Sequence, residues 1–248
     1  MDEDTGASSL QIRYPPAWSR PFAEHLAVDE ELFILEGELT IGDVRYRKHD
    51  YAHLPSGYPR PHSASENGAV VLTFFSGEPI AEPGLGRGYD ERRLVRHIDT
   101  RRLPPHQGAR EHMDSKGFDH SGTIHKSLFH DPDTDERSWL VGVTPGWFMT
   151  TAETHPVVEE EFALYGDICM PNGIMYAGAY FWRPPHVQHG PFGSVGGTLH
   201  FCRCKGGAFS TEFEEKPELL DWNPDYRPIL PESYKDYLRQ GRIHEPNY

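Results

Sequence analysis

The segment 155–166, HPVVEEEFALYG, is followed some thirty residues later by the segment 184–191, PPHVQHGP. His155 and Glu159 lie four positions apart where the chain turns into a strand, so their side chains can point to the same side. His189 can complete a site from a neighbouring strand. Imidazole and carboxylate ligands suit divalent iron, manganese, nickel, cobalt or zinc. The two segments therefore predict a transition-metal pocket.

Short apolar runs alternate with turn-forming residues along most of the chain. The 248 residues include 24 Gly and 22 Pro, which separate the apolar runs at intervals of roughly ten residues, as in all-β proteins. The runs 32–35 (LFIL) and 69–75 (AVVLTFF) are apolar at successive positions and predict strands buried on both faces. The predicted fold class is all-β with few short helices.

Charge and composition limit the partners. Acidic residues outnumber basic residues by 38 to 24, giving a net charge of −14, which would repel phosphates. We therefore expect a small-molecule substrate and no nucleic-acid or membrane partner. The segment 1–6, MDEDTG, lacks the basic and apolar regions of a signal peptide. Three cysteines, Cys169, Cys202 and Cys204, are too few for a disulfide framework, which favours a cytoplasmic location.

The chain repeats itself at an offset of 129 residues. Over positions 30–77, ten of 48 residues are identical to those of the shifted copy, against about one in seventeen expected from composition. Gly37 and Gly166 would close equivalent turns in which a positive φ is expected. The sequence therefore predicts a duplicated barrel. The residues shared by the two copies are Glu30/Glu159, Glu31/Glu160, Phe33/Phe162, Leu35/Leu164, Gly37/Gly166, Tyr51/Tyr180, Pro55/Pro184, Ser65/Ser194, Gly68/Gly197 and Gly77/Gly206.

The two copies differ at the predicted metal ligands. Arg60 stands at the position of His189, and Leu26 at the position of His155. A guanidinium keeps its proton and cannot bind a cation, so we expect the first barrel to be metal-free. The alternative is a shifted site in the first barrel, formed by His25, Glu30 and His62.

The motif H-x3-E-x6-G followed by P-x4-H resembles the two short motifs of the cupin superfamily. That resemblance implies antiparallel jelly-roll barrels, also called double-stranded β-helices, with a metal in the mouth. Residues 124–206 further resemble the cupin domain of the ChrR-type anti-sigma-factor family, and residues 21–77 do so more weakly. The segments that carry the likeness include 126–134 (KSLFHDPDT) and 139–146 (WLVGVTPG). With the repeat, this predicts two cupin barrels in tandem, a bicupin.

The family's first motif carries two histidines and a glutamate, and its second motif carries one histidine. Transferred to this chain, the resemblance implies His155, Glu159 and His189 as metal ligands, with Glu153 at the position of the family's first histidine. Two histidines with one or two carboxylates favour Fe(II). Manganese, nickel and zinc are the alternatives. Glu160 is predicted to lie on the opposite face of its strand from Glu159.

Three further residues near the motifs are candidates for catalysis. His186 precedes His189 by three positions and is expected at the pocket rim. His200, on the following strand, could point into the barrel as an acid or base, and Tyr180 could move a proton. For each histidine, an ordinary hydrogen-bonded wall position is the alternative interpretation.

The predicted organisation has four parts. Residues 1–20 form an N-terminal arm, residues 21–95 the first barrel, and residues 96–207 the second barrel with the metal site. Residues 208–248 form a tail that packs on the barrels or on a dimer partner, with one short helix at 232–239. We expect a homodimer.

Three functions fit these residues. The first is a metal-dependent enzyme for a small oxygenated molecule, such as a carbonyl, enol or aromatic ketone, with a non-haem Fe(II) dioxygenase favoured. A lyase or isomerase that uses the metal as a Lewis acid is the second. The third is a non-catalytic module that senses a ligand or a metal, although the segment 1–20 is too short for the helical sigma-binding domain of the anti-sigma relatives.

Overall fold

The computed structural model of the chain describes residues 4–105 and 121–229. Their regular structure is almost entirely β, which confirms the predicted class, and one short 3-10 helix spans Glu91–Arg93. Residue contacts divide the chain into two compact units, residues 1–105 with 126–133, and residues 106–125 with 134–248. The helix predicted at 232–239 lies outside the described residues. No helix in the described part of the chain is long and apolar enough to cross a membrane.

The first unit contains a sheet in the order β1, β8, β4, β6 and β10, with the shorter strands β2, β5 and β7 attached to it. Strands β4 and β8 include the apolar runs that predicted buried strands, and every residue of β8 is buried. The strands are β1 Ser8–Tyr14, β2 Trp18–Arg20, β3 Glu24–Leu26, β4 Glu30–Ile41, β5 Val44–Arg47, β6 Asp50–Leu54, β7 Ser63–Ser65, β8 Ala69–Phe75, β9 Ala81–Pro83 and β10 Val95–Asp99.

The second sheet has the order β11, β12, β19, β15, β18 and β13, with β16 and β17 paired to β15. Its first strand, β11 Thr123–His130, precedes a series that matches the first unit. The remaining strands are β12 Arg137–Val143, β13 Phe148–Met149, β14 Glu153–Thr154, β15 Val158–Met170, β16 Gly173–Tyr176, β17 Tyr180–Arg183, β18 Phe192–Gly193, β19 Thr198–Lys205 and β20 Glu212–Phe213.

The 129-residue repeat extends well beyond the segment in which sequence identity revealed it. Strands β1 and β5 fall on β12 and β16 residue for residue, and β1 to β9 have counterparts in the same order in β12 to β20. The pairing register is also shared, because Ser9 faces Phe74 and Ser138 faces Arg203. The register shifts in the pairing of the long strands β4 and β15 also occupy equivalent positions. The two units therefore have the same strand framework.

The predicted boundaries differ from the observed ones. The N-terminal arm, residues 1–20, contains β1 and β2, which belong to the first unit's sheets because their backbones pair with β8 and β7. The predicted division at residues 95/96 falls inside β10, which pairs with β6. In the tail, β20 pairs with β14. Backbone pairing, which composition does not reveal, accounts for each difference.

The interiors of the two units differ in chemistry. The first is filled by a buried apolar cluster that includes Leu32, Leu54 and Val71. At the equivalent positions the second unit has Glu161, Arg183 and His200, and these residues line a cavity. The list of first-unit core residues continues with Ile34, Leu39, Ile41, Tyr46, Ala52, Tyr58 and Ala69.

Gly37 and Gly166 lie inside β4 and β15, directly after the register shifts of these strands, and not in the turns that the sequence predicted. Gly37 and Gly166 have φ values of 69° and 77°, which confirms the predicted positive φ. A Cβ at Gly166 would lie 1.9 Å from the carbonyl oxygen of Gly197, and the equivalent distance at Gly37 is 2.0 Å to Gly68. Only glycine allows the backbones to approach so closely.

Gly166→Ala is therefore expected to destabilise the protein strongly. A left-handed backbone costs a residue with a Cβ about 1–2 kcal/mol, and the clash with a backbone oxygen adds about 1–3 kcal/mol. Gly146→Ala is the matched control, because Gly146 has φ 76° and no atom within 4 Å of the added Cβ. The midpoint of urea unfolding should fall further for Gly166→Ala. Equal losses for the two variants would contradict the close approach.

Candidate metal centre

Glu153, His155 and His189 converge in the second unit. Backbone hydrogen bonds join Glu153 and His189 in both directions, at 2.8 Å and 3.0 Å, and so hold the two chain segments side by side. His155 follows β14 by one residue. One donor atom from each of the three side chains lies within 4.8 Å of the other two. Among the described residues, no other group of His, Cys, Asp or Glu side chains meets this criterion.

The donor distances fit a shared metal ion. Glu153 Oε1 lies 3.8 Å from His155 Nε2 and 3.5 Å from His189 Nε2. Ligands at about 2.1 Å from one ion are separated by roughly 3 to 4 Å. Without an ion these separations are too long for direct hydrogen bonds. The set of two imidazoles and one carboxylate is therefore spaced for a divalent metal.

Backbone carbonyls fix the orientation of both imidazoles. His155 Nδ1 lies 2.9 Å from the Ser210 carbonyl, and His189 Nδ1 lies 2.8 Å from the Val187 carbonyl. Since a carbonyl only accepts, each Nδ1 carries the proton and each Nε2 keeps a lone pair for a metal. His155 Nε2 is buried and has no hydrogen-bond partner in the protein, as expected for an atom that binds a metal.

Glu159 lies beside the three convergent residues as a possible fourth donor. Its carboxylate oxygens are 3.6 Å from His155 Nε2 and 3.6 Å from His189 Nε2. The Arg183 guanidinium forms an ion pair with the same carboxylate. Burial raises the pKa of Glu159, and the nearby Glu161 carboxylate raises it further. The Glu159 carboxylate therefore lies where a positive charge would stabilise its ionised form.

The charges that line the cavity do not balance within the protein. Three carboxylates, Glu153, Glu159 and Glu161, face a single guanidinium, Arg183. Ionised carboxylates in a buried site require cationic partners because desolvation is costly. Arg183 can balance only one of these charges, so a bound cation would stabilise the ionised carboxylates.

The cavity around this site has a volume of about 150 Å³. Polar groups are concentrated at the metal centre and near His200, while aromatic side chains form much of the remaining wall. Such a composition suits a small, partly apolar ligand. The apolar lining residues are Trp139, Val141, Val143, Trp147, Met149, Ile168, Met170, Phe181, Phe192, Phe209 and Phe213.

His200 and Glu161 form a hydrogen-bonded pair in the cavity. His200 Nδ1 lies 2.7 Å from Glu161 Oε2, and Cys202 Sγ lies 3.4 Å from Glu161 Oε1. Burial alone would raise the pKa of Glu161, but the hydrogen bond and the charge of His200 lower it below its usual value. Glu161 is therefore an ionised acceptor, and His200 presents Nε2 on its other side.

The structure does not bring Tyr180 or His186 to the cavity. Alternation along β17 directs Phe181 and Arg183 towards the cavity, so Tyr180 faces the other way and donates a 3.0 Å hydrogen bond to Glu160. Glu160 thus lies on the opposite face from Glu159, as predicted. His186 is exposed, with φ 61°. Only its backbone supports the site, by donating a hydrogen bond to the His155 carbonyl.

Sequence analysis missed Arg183 as a site residue. Its position on a strand next to the second motif gave no indication of a charge partner. The repeat contained a usable signal, because Arg183 replaces Leu54 of the first unit. A charged residue at the position of a core leucine would have indicated a polar interior.

In the first unit a guanidinium lies at the position of His189, which is a proposed metal ligand in the second unit. Arg60, at the position of His189, forms a buried ion pair of 2.6 Å with Glu30, at the position of Glu159. The alternative set is not assembled there, because His25 contacts Glu82 at 3.2 Å and His62 is exposed. The Arg60 charge thus balances the carboxylate that is equivalent to Glu159.

Comparisons with known proteins agree with this fold. Residues 1–211 match the family described as a domain of unknown function, DUF4437. Among curated proteins, none matches the sequence. A candidate dioxygenase from Nostoc punctiforme superimposes with a TM-score of 0.72 at 20% identity, covering 82% of this chain and 70% of that one.

Two further solved structures have the same fold. Oxalate decarboxylase from Bacillus subtilis gives a TM-score of 0.53 at 14% identity, over 84% of this chain and 70% of the other. A variant of salicylate 1,2-dioxygenase from Pseudoaminobacter salicylatoxidans gives 0.59 at 10% identity, over 85% and 75%. These likenesses confirm the cupin fold predicted from the two motifs, and they are consistent with two barrels in tandem.

His189→Ala is expected to remove most of the bound metal while the fold is retained. The imidazole supplies one of few ligands, whereas the strand framework does not depend on it. Arg60→Ala is the control at the equivalent position, and it should leave metal content unchanged. Metal per chain, measured by mass spectrometry of purified protein, tests both. A loss of metal in Arg60→Ala would place the site in the first unit.

Glu153→Gln should weaken metal binding by more than the roughly 10–100-fold typical of a residue that only orients a ligand. The amide is nearly isosteric but lacks the charge that balances the cation. Glu82→Gln, on the partly exposed carboxylate beside His25, is the control. Competition with a metal-binding dye gives both affinities. An unchanged affinity in Glu153→Gln would exclude Glu153 as a ligand.

Proposed function

We propose that this chain, which belongs to the DUF4437 family, is a metal-dependent cupin enzyme acting on a small oxygenated molecule. The observation that carries the proposal is the set Glu153, His155 and His189, whose donor atoms are spaced for one ion. Two histidines and one carboxylate are the ligands of non-haem Fe(II) oxygenases, which leave coordination positions open. We therefore favour Fe(II) and a dioxygenase reaction.

When bound, iron would supply coordination positions for substrate and O2 and a path for electrons from the substrate to O2. The chain's own groups would orient the ligands and exclude water. The Ser210 and Val187 carbonyls hold the two imidazoles, and Arg183 holds Glu159. Aromatic walls would bind the carbon skeleton of the substrate. In a dioxygenase both atoms of O2 enter the product, and the substrate is the reductant.

The likeness to two proteins named as dioxygenases supports this preference as analogy only, since a fold hosts many activities. A lyase or isomerase is the second candidate, and one observation favours it. His200 and Glu161 form a buried pair that lines the same cavity as the proposed metal ligands, which suits the movement of a proton to or from a substrate carbon. The likeness to oxalate decarboxylase is compatible with that candidate.

Metal content and oxygen consumption together test the proposal. We expect about one iron per chain after anaerobic purification, and O2 uptake that depends on added β-diketones, hydroxyacetophenones or catechol-like compounds. His189→Ala should abolish uptake because it removes a proposed iron ligand, while His62→Ala, at an exposed first-unit residue, should not. Conversion of a hydroxy or keto acid without O2 use would instead support the lyase or isomerase. Protein that binds no divalent metal would contradict both.

A further inference from the structure

The second unit places a polar pair where the first unit has apolar core. Leu32 and Val71 belong to the apolar cluster of the first unit, and Glu161 and His200 occupy the equivalent positions of the second. The same strand framework therefore folds with two aliphatic side chains at these positions. Burying a carboxylate and an imidazole there is costly, so the pair requires an explanation other than the fold.

The pair is built to hold one imidazole nitrogen towards the cavity. His200 is 3% exposed, and its Nδ1 lies 2.7 Å from Glu161 Oε2. The contact has the length of a hydrogen bond in which Nδ1 donates to the carboxylate oxygen, so Nδ1 carries the proton. The other nitrogen, Nε2, is buried and has no hydrogen-bond partner. Because His200 lines the cavity, a ligand bound there can supply the missing partner.

His200 lies at a distance from the proposed metal ligands. Along β15, Glu159 pairs with Cys204, Glu161 with Cys202, and Ala163 with His200. Two residues of strand span about 7 Å, so the backbone of His200 lies about twice that distance along the barrel from the level of Glu159, and its ring reaches back to the Glu161 carboxylate. Phe181 pairs with Glu161 and lines the cavity. It therefore lies between the level of Glu159 and the level of the His200 backbone.

We propose that His200 is a specificity residue, positioned by Glu161, that hydrogen-bonds an oxygen substituent at the end of the substrate remote from the metal. The inference rests on the proposed function, because the other end of the substrate binds the metal. It defines a substrate class, namely small molecules with metal-binding oxygens at one end, a short apolar middle beside Phe181, and a hydroxyl or carboxylate at the other end. A hydroxyl would donate to Nε2, and a carboxylate would accept from the protonated imidazole.

Three probes of equal chain length test this class. They are 2-oxovalerate, which ends in a methyl group, 5-hydroxy-2-oxovalerate and 2-oxoglutarate, which ends in a carboxylate. Each is titrated into Co²⁺-loaded protein, and the visible absorption of cobalt reports binding. We expect at least one oxygen-ended probe to bind about tenfold or more tightly than 2-oxovalerate, as a hydrogen bond to a buried partner would give. Comparison of the two oxygen-ended probes shows whether His200 binds a hydroxyl or a carboxylate.

Variants then test whether His200 and Glu161 cause the preference for oxygen-ended probes. In His200→Phe, which keeps a planar ring, the advantage of the oxygen-ended probe should fall below about twofold with Co²⁺ binding retained. Glu161→Gln should give an intermediate advantage, and His62→Phe, at an exposed first-unit residue, should keep the full one.

Equal binding of all three probes to the wild-type protein would overturn the inference, whether or not the variants fold. A preference that survives in His200→Phe would also overturn it. A wild-type protein that binds no Co²⁺ would overturn the metal centre and this inference together. Co²⁺ binding without a preference among the probes would overturn only the role of His200.

Discussion

A buried carboxylate at the start of the long central strand must be balanced by a positive charge, and each unit meets this constraint differently. In the first unit Glu30 pairs with Arg60. In the second, Glu159 pairs with Arg183, and the cavity also contains Glu153 and Glu161. A single unpaired buried ion costs several kcal/mol. In the first unit Arg60 balances the charge of Glu30. In the second unit a bound cation would balance the carboxylates that Arg183 does not pair.

The two units have the same strand framework but different interiors. The first unit has an apolar cluster around Leu32 and Val71, and a buried ion pair stands at the positions of two proposed ligands of the second unit. The second unit has no aliphatic side chains at the positions of Leu32 and Val71. It has instead a cavity lined with charged and aromatic side chains. The equivalent glycines within β4 and β15 and the matched strand register give both units the same backbone geometry. The first unit can therefore keep an apolar core while the second unit has the cavity with the proposed metal ligands.

The sequence predicted much of this arrangement because the informative residues are repeated or regularly spaced. The offset of 129 residues, the repeated glycines and the two histidine motifs were sufficient to predict the fold class and to select the four proposed ligands, whereas the turns predicted at Gly37 and Gly166 are strand positions in the structure. The repeat was found only over 30–77, since β1 and β12 share just Ser9/Ser138 among seven aligned positions. Strand pairing is conserved there by backbone hydrogen bonds, which place little demand on side-chain identity.

Other features depended on contacts that a sequence does not reveal. Tyr180 is repeated as Tyr51 and suggested a role at the site, yet both tyrosines donate hydrogen bonds to repeated glutamates, Glu160 and Glu31. Its repetition therefore reflects a structural hydrogen bond. The ion pair between Arg183 and Glu159 joins two strands, and only their pairing register brings the two charges together.

We propose that one divalent ion lies among Glu153, His155 and His189 in the second unit. Anomalous X-ray diffraction from crystals of the metal-loaded protein, collected on both sides of the absorption edge, would locate the ion. We expect one anomalous peak per chain, about 2.1 Å from the Nε2 atoms of His155 and His189, and none beside Glu30. A peak at Glu30, or a metal bound only elsewhere, would contradict this proposal.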